Sequence, residues 1–305
     1  MTRRLSPRIA ALVAGAALAV GCRDDRAPAE ALPLGPAEEA TLRTATRHLE
    51  RGHMGEAYAT LEPLLARTPP PVEAQYFAGV AASKLRRYEE AAERLSDAVA
   101  RDPKLWPQMV ELGFVHESLG DFDRAIETYR KVLDAAPGKR RARFGLGRVA
   151  LERGDVALAK EHLERVLKDD PTFVAARYQL ARALVDERDW ERALVEIDET
   201  LRARPSHDQA HYLRATVLAR LGRDAEAEAA LEKRAEVYKK KERISGLLEQ
   251  TMHGRDTAAV HATIARLYLD LDDVEEAATA VRVGLAKFPG DLTLTSLQHE
   301  VDARR

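Results

Sequence analysis

Small and large apolar residues return along this chain at a fixed step. Ala57, Ala91, Ala125, Ala159, Ala193 and Ala227 are each 34 residues apart, and Pro69, Pro103, Pro137, Pro171 and Pro205 keep the same step. The series resumes at Ala277 and Pro289, 16 residues late. Each unit is numbered here so that its proline is position 32. Position 20 is then Ala in all seven units, and position 8 is always Gly or Ala: Ala45, Gly79, Gly113, Gly147, Ala181, Ala215 and Ala265. Position 24 carries large side chains: Leu61, Leu95, Tyr129, Leu163, Ile197, Leu231 and Val281. Small residues at 8 and 20 let two helices of one unit approach closely, with the position-24 side chains as knobs between them. Gly120-Asp121, Gly154-Asp155 and Arg188-Asp189 fall where the first helix of a unit gives way to the second. Glycine ends a helix and aspartate caps the next, and the proline stops each pair.

A 34-residue step with these columns resembles the tetratricopeptide repeat, two antiparallel helices per unit. The resemblance implies an all-α solenoid, a right-handed superhelix of about seven repeats. Repeats 1–6 are expected over 38–241, an insertion over 242–257, a seventh repeat over 258–291 and a capping helix over 292–305. The sixth unit lacks its proline, and its second helix is expected to continue from Asp224 to Gln250.

Residues 1–22 have a different character. Arg3, Arg4 and Arg8 precede a twelve-residue apolar run, Ile9 to Val20, too short for a membrane span of about 20 residues. The run ends in Leu18-Ala19-Val20-Gly21-Cys22, which holds the only cysteine of the 305 residues. This is similar to a bacterial lipobox. The resemblance implies cleavage after residue 21, acylation of Cys22 and anchorage to a bilayer, with residues 22–37 as a Pro-rich tether. Arg23 rather than Asp after the cysteine favours the outer membrane, facing the periplasm, by analogy.

Composition excludes several classes. The chain is 32% charged and 5% aromatic, with a net charge of -2. That balance points to helix and away from nucleic acid. One cysteine rules out internal disulfides and four-cysteine zinc sites. Phosphate loops, Gly-x-Ser-x-Gly and Cys-His pairs are missing from the sequence, so no catalysis, cofactor or small-molecule substrate is expected. His207 and His211 stand at metal-ligand spacing, yet the sequence offers no third ligand, and a solvated helix start is favoured. The basic runs Lys139-Arg140-Arg141-Ala142-Arg143 and Lys239-Lys240-Lys241 likewise read as solvated helix segments.

In the family that the columns resemble, first helices line a concave face through positions 2, 5, 9, 12 and 13. The groove candidates are Tyr76, Phe144, Tyr178 and Tyr212 at position 5, Phe114, Arg148 and Arg182 at position 9, and Arg141 at position 2. Rings supply contact area and guanidinium groups take carboxylates, a chemistry that suits an extended peptide. The rings also serve packing, and Glu152 and Asp186, four residues on, are possible salt-bridge partners of the two arginines. Reversal of Arg148 and Arg182 is expected to abolish capture without loss of helix. The family's carboxylate clamp, Lys at 5 and Asn at 9, is missing. The expected function is a lipid-anchored scaffold for a protein or peptide partner, or a non-catalytic subunit that positions an enzyme or an export, pilus or polysaccharide secretion assembly.

Overall fold

The computed structural model describes residues 34–305, and the residues described are helical with turns between. Two compact units divide at Pro103. The apolar run, the lipobox-like segment and Cys22 lie outside the described residues.

The first unit holds α1 (Pro36–Glu50), α2 (Met54–Leu65), α3 (Val72–Lys84) and α4 (Tyr88–Arg101). Leu42, Ala45, Leu61, Leu64, Ala74 and Ala78 form a core between its helices. A 3-10 helix, Pro103–Gln108, follows.

The second unit holds α5 (Val110–Ser118), α6 (Phe122–Ala135), α7 (Arg140–Glu152), α8 (Val156–Asp169), α9 (Val174–Asp186), α10 (Trp190–Ala203), α11 (Asp208–Arg220), α12 (Asp224–Met252), α13 (Ala258–Leu269), α14 (Val274–Lys287) and α15 (Leu292–Arg304). Neighbours in sequence pack as antiparallel pairs, and α7, α9, α11 and α13 each also rest on the helix before them.

One backbone device makes every hairpin. At Gly120 the chain takes φ +75°, the Gly120 N–H donates to Glu117 O, and the Asp121 N–H donates to His116 O. This is a Schellman ending, which satisfies carbonyls that the helix would leave open. Residues 52, 86, 154, 188, 222 and 272 repeat it, all with positive φ. Up to 222 they keep the 34-residue step. Asp121, Asp155 and Asp189 then cap the second helix by accepting from the N–H three residues on, at 3.2, 3.1 and 3.4 Å.

The column of alanines at position 20 is buried throughout, and so are the position-24 side chains, except Leu231, which is 46% exposed. The expected knob fails there because α12 does not end. It runs 29 residues, from Asp224 to Met252. The stack of first helices passes from α5 to α7, α9 and α11. α13 then packs against α12, α14 and α15 and does not extend that stack. Two cores result. Ala227 and Ala230 close the core that begins at Ala150. Val237 and Ile244, further along the same helix, belong to a second core with α13, α14 and α15. The sixth repeat therefore has no conventional neighbour over its second helix.

Candidate functional site

The candidate residues fall in separate units. Tyr76 stands on α3 of the first unit, half-buried, with its ring 5.3 Å from that of Phe77. The other seven lie on α5, α7, α9 and α11 of the second unit.

Arg148 projects from α7 between two rings, its guanidinium carbon 5.7 Å from the Phe114 centroid and 5.4 Å from that of Phe144. Its Nη2 donates to Glu117 Oε2 at 2.7 Å. Glu117 also accepts from the Tyr129 hydroxyl at 3.2 Å. Burial by itself would lower the arginine's pKa, but the hydrogen bond and charge of Glu117 outweigh it and raise it. The arginine is thus fixed to the preceding first helix, not to Glu152 on its own. Glu152 pairs instead with Arg182, at 3.2 Å. The position-9 arginines form a ladder from one first helix back to the one before, and that ladder has a structural use. Side-chain exposures of 25% and 13% for Arg148 and Glu117, against 37% and 43% for Arg182 and Glu152, leave the second pair more open to a ligand. Arg141, at the start of α7, is exposed and makes no ion pair among the described residues.

Two of the position-5 rings, Phe144 and Tyr178, rest on a ring at position 34 of their own unit, and Tyr212 does not. Phe144 lies 5.2 Å from Phe173, and Tyr178 lies 4.6 Å from His207. Phe173 and His207 both occupy position 34 of their units. Burial pushes the Tyr178 hydroxyl upward in pKa. In the sixth unit position 34 is Lys241, which is bound to Asp208 at 3.5 Å. Tyr212 rests on no ring among the described residues and is 53% exposed. Arg234, from α12, covers it with its guanidinium 4.9 Å from the ring centroid. No carboxylate among the described residues holds Arg234. Tyr238 stands one turn beyond and is 61% exposed. Arg234 and Tyr238 were missing from the sequence candidates. The usable signal was the position-34 column, which changes from Phe and His to Lys.

The two histidines have local duties. His207 Nδ1 accepts from the Ala210 N–H at 3.2 Å and so caps α11, and His211 Nε2 donates to Pro205 O at 2.8 Å. Among the described residues no group of three or more His, Cys, Asp or Glu is placed to hold a metal ion. No described helix is long and apolar enough to cross a membrane.

Two family models, each described as tetratricopeptide repeat, match this chain. One covers residues 150–217, and the other covers 42–105 and 111–177. Together they span more than half of it. These are tetratricopeptide repeats. Solved structures agree on the fold of the repeats. A tetratricopeptide repeat protein from Parabacteroides merdae matches 88% of this chain and 99% of its own at 14% identity, with a TM-score of 0.54. MamA from Desulfovibrio magneticus RS-1 matches 55% of this chain and 95% of its own at 21% identity, with a TM-score of 0.51. A chain of the APC/C hetero-tetramer Cut9-Hcn1 matches 86% of this chain and 49% of its own at 17% identity, with a TM-score of 0.55. Comparison with curated proteins finds no match. Tyr178 and Arg182, half-buried on α9, and Tyr212 and Arg234, exposed on α11 and α12, combine access to solvent with polar or aromatic chemistry.

Proposed function

We propose that this chain is a lipid-anchored scaffold at the bacterial cell envelope, and that its second unit holds a peptide segment of a partner protein against α9, α11 and α12. The observation that carries the binding reading is the Tyr212–Arg234 pair. A solvated tyrosine lies under a guanidinium that no carboxylate among the described residues holds, beside a second exposed tyrosine. Such a pair offers a flat apolar surface and N–H donors to the carboxylates of an acidic or C-terminal segment. Anchorage at Cys22, and with it an outer-membrane address facing the periplasm, rests on the sequence of residues 1–22. Two or more acyl chains on that cysteine would hold the chain stably.

The binding reading is tested by cross-linking in intact cells, followed by purification through a C-terminal tag. Tyr212→Ala combined with Arg234→Glu should lose the main cross-linked partner while helix content and melting stay unchanged. An unchanged cross-link pattern would refute this site. For the anchor, Cys22→Ser should abolish incorporation of labelled fatty acid. Persistent labelling would reject the lipidation assignment.

A further inference from the structure

A second surface, on the seventh repeat, differs from its equivalents along the chain. At position 23 the second helices of repeats two to five carry Arg94, Thr128, His162 and Glu196, and at position 26 Asp97, Lys131, Arg165 and Glu199. In α14 these registers hold Ala280 and Val283. Both line a cleft of about 350 Å³ between α14, α13 and the far end of α12. Ile264 and Tyr268 contribute from α13, and Leu248 stands on the α12 side. Leu248 is 43% exposed and Val283 41%. The cleft exists because α12 overshoots: its last turns line the cleft alongside α14, where the earlier units have no such overshoot. A cavity of this size is ample for apolar side chains of a ligand.

The charge at the rim is unbalanced. Lys287 is held by Asp256 at 2.5 Å, and Glu275 by Arg305 at 2.5 Å. Glu276 raises the pKa of the nearby Tyr268 hydroxyl, second to burial, and has no cation partner among the described residues. An apolar trough with one unneutralised carboxylate is complementary to an amphipathic helix that carries a basic residue beside its apolar stripe.

We infer that the α12–α13–α14 cleft is a docking groove for a basic amphipathic helix of a partner protein, independent of the Tyr212–Arg234 surface. The partner helix inserts apolar residues spaced three or four apart between Leu248 and Val283 and sets a Lys or Arg against Glu276.

The test is selection from a displayed library of helical peptides on the intact protein. Enriched peptides should be amphipathic and carry Lys or Arg at one edge of the apolar stripe. Val283→Arg restores the side-chain type of the third and fourth repeats and should weaken their binding by about tenfold or more, a loss of ~1.4 kcal/mol. Leu248→Glu, on the opposite wall, is the second variant and should do the same. Glu276→Gln should weaken binding several-fold and reduce its salt dependence. Failure to enrich any helix, enrichment of acidic peptides, or affinity unaltered by both wall variants would overturn the inference. So would a concentration-dependent dimer abolished by Val283→Arg, which would make a second copy the occupant. Tyr212→Ala should leave the selected peptides bound, which separates this groove from the inner face.

Discussion

The ring of Tyr129 lies against the backbone of Gly145, so closely that a Cβ on that glycine would sit 2.4 Å from the ring's Cζ. On its other side a Cβ on Gly113 would meet Cε1 at 2.3 Å. The tyrosine therefore threads between α5 and α7, and its hydroxyl reaches Glu117, which in turn holds Arg148. Burial is the largest cause of a phenol pKa far above the usual range. Gly145→Ala is expected to destabilise the fold by about 2–3 kcal/mol, because a fully buried ring pinned on both faces has no way to move aside. Tyr129→Leu adopts the residue found at this register in Leu95 and Leu163. In that background Gly145→Ala should cost under about 1 kcal/mol. A double-mutant cycle by urea denaturation reads the coupling directly; additive losses would show that the contact is not what excludes a side chain at 145.

That relationship marks the limit of what the sequence conveyed. The columns at positions 8, 20 and 24 were legible because a 34-residue step repeats the same packing problem, so small and large residues recur in phase. Tyr129 was legible as a knob, but its line to Glu117 was not, since the hydroxyl crosses from a second helix to a first helix of the same unit. The columns mark Arg148 and Arg182 as candidate groove charges and offer Glu152 and Asp186, four residues on, as their partners. The structure pairs them across units, because neighbouring first helices lie closer for these side chains than the next turn of the same helix. Leu231 follows the column and is nevertheless exposed, since the column assumes a neighbouring repeat that the long α12 displaces.

Position 15 yields a stability prediction. Residues 52, 120, 154 and 222 at this register are glycine, whereas Arg86 and Arg188 take φ 62° and 63°. A side chain in the left-handed region costs about 1 kcal/mol relative to glycine, less what glycine loses in unfolded-chain entropy. Both arginines are exposed. Arg188→Gly and Arg86→Gly are each expected to raise stability by about 0.5 kcal/mol, and together by about 1 kcal/mol, measured as a shift in denaturant midpoint at constant slope. A loss of stability would mean that the arginine side chains hold contacts worth more than the backbone strain.

Arg148 and Arg182 should respond differently to charge reversal, contrary to the expectation that both could be reversed without loss of helix. Arg148→Glu places a second carboxylate beside the largely buried Glu117, and is expected to cost about 2–4 kcal/mol. Arg182→Glu disrupts a pair that is more than a third exposed on both sides, where water screens the charges, and should cost less than about 1 kcal/mol. Thermal melts of the two single variants decide the matter, and equal losses would contradict the burial difference. For the same reason a binding assay on the Arg148 variant reports unfolding as well as lost contact, and Arg182→Glu is the cleaner probe.

Acid sensitivity follows from four histidines. His116, His162, His207 and His211 all have pKa values below the usual 6.5, with burial the largest cause in each. A buried imidazole is favoured neutral in the fold, so on acidification the unfolded chain takes up protons first. Stability from these groups is therefore complete above pH 6.5 and falls as the pH drops toward their folded values. The carboxylates with depressed pKa, such as Glu236 at about 2, become limiting only at lower pH. Between pH 7.5 and 5.5 the fold is expected to lose about 1–3 kcal/mol, seen as a lower urea midpoint. Ring-proton titration by NMR should place all four histidines below 6.5. His116→Gln with His211→Gln should flatten the pH dependence by roughly half. A midpoint constant over that interval, or one that rises on acidification, would show that the four rings accept protons as readily in the folded repeats as in the open chain.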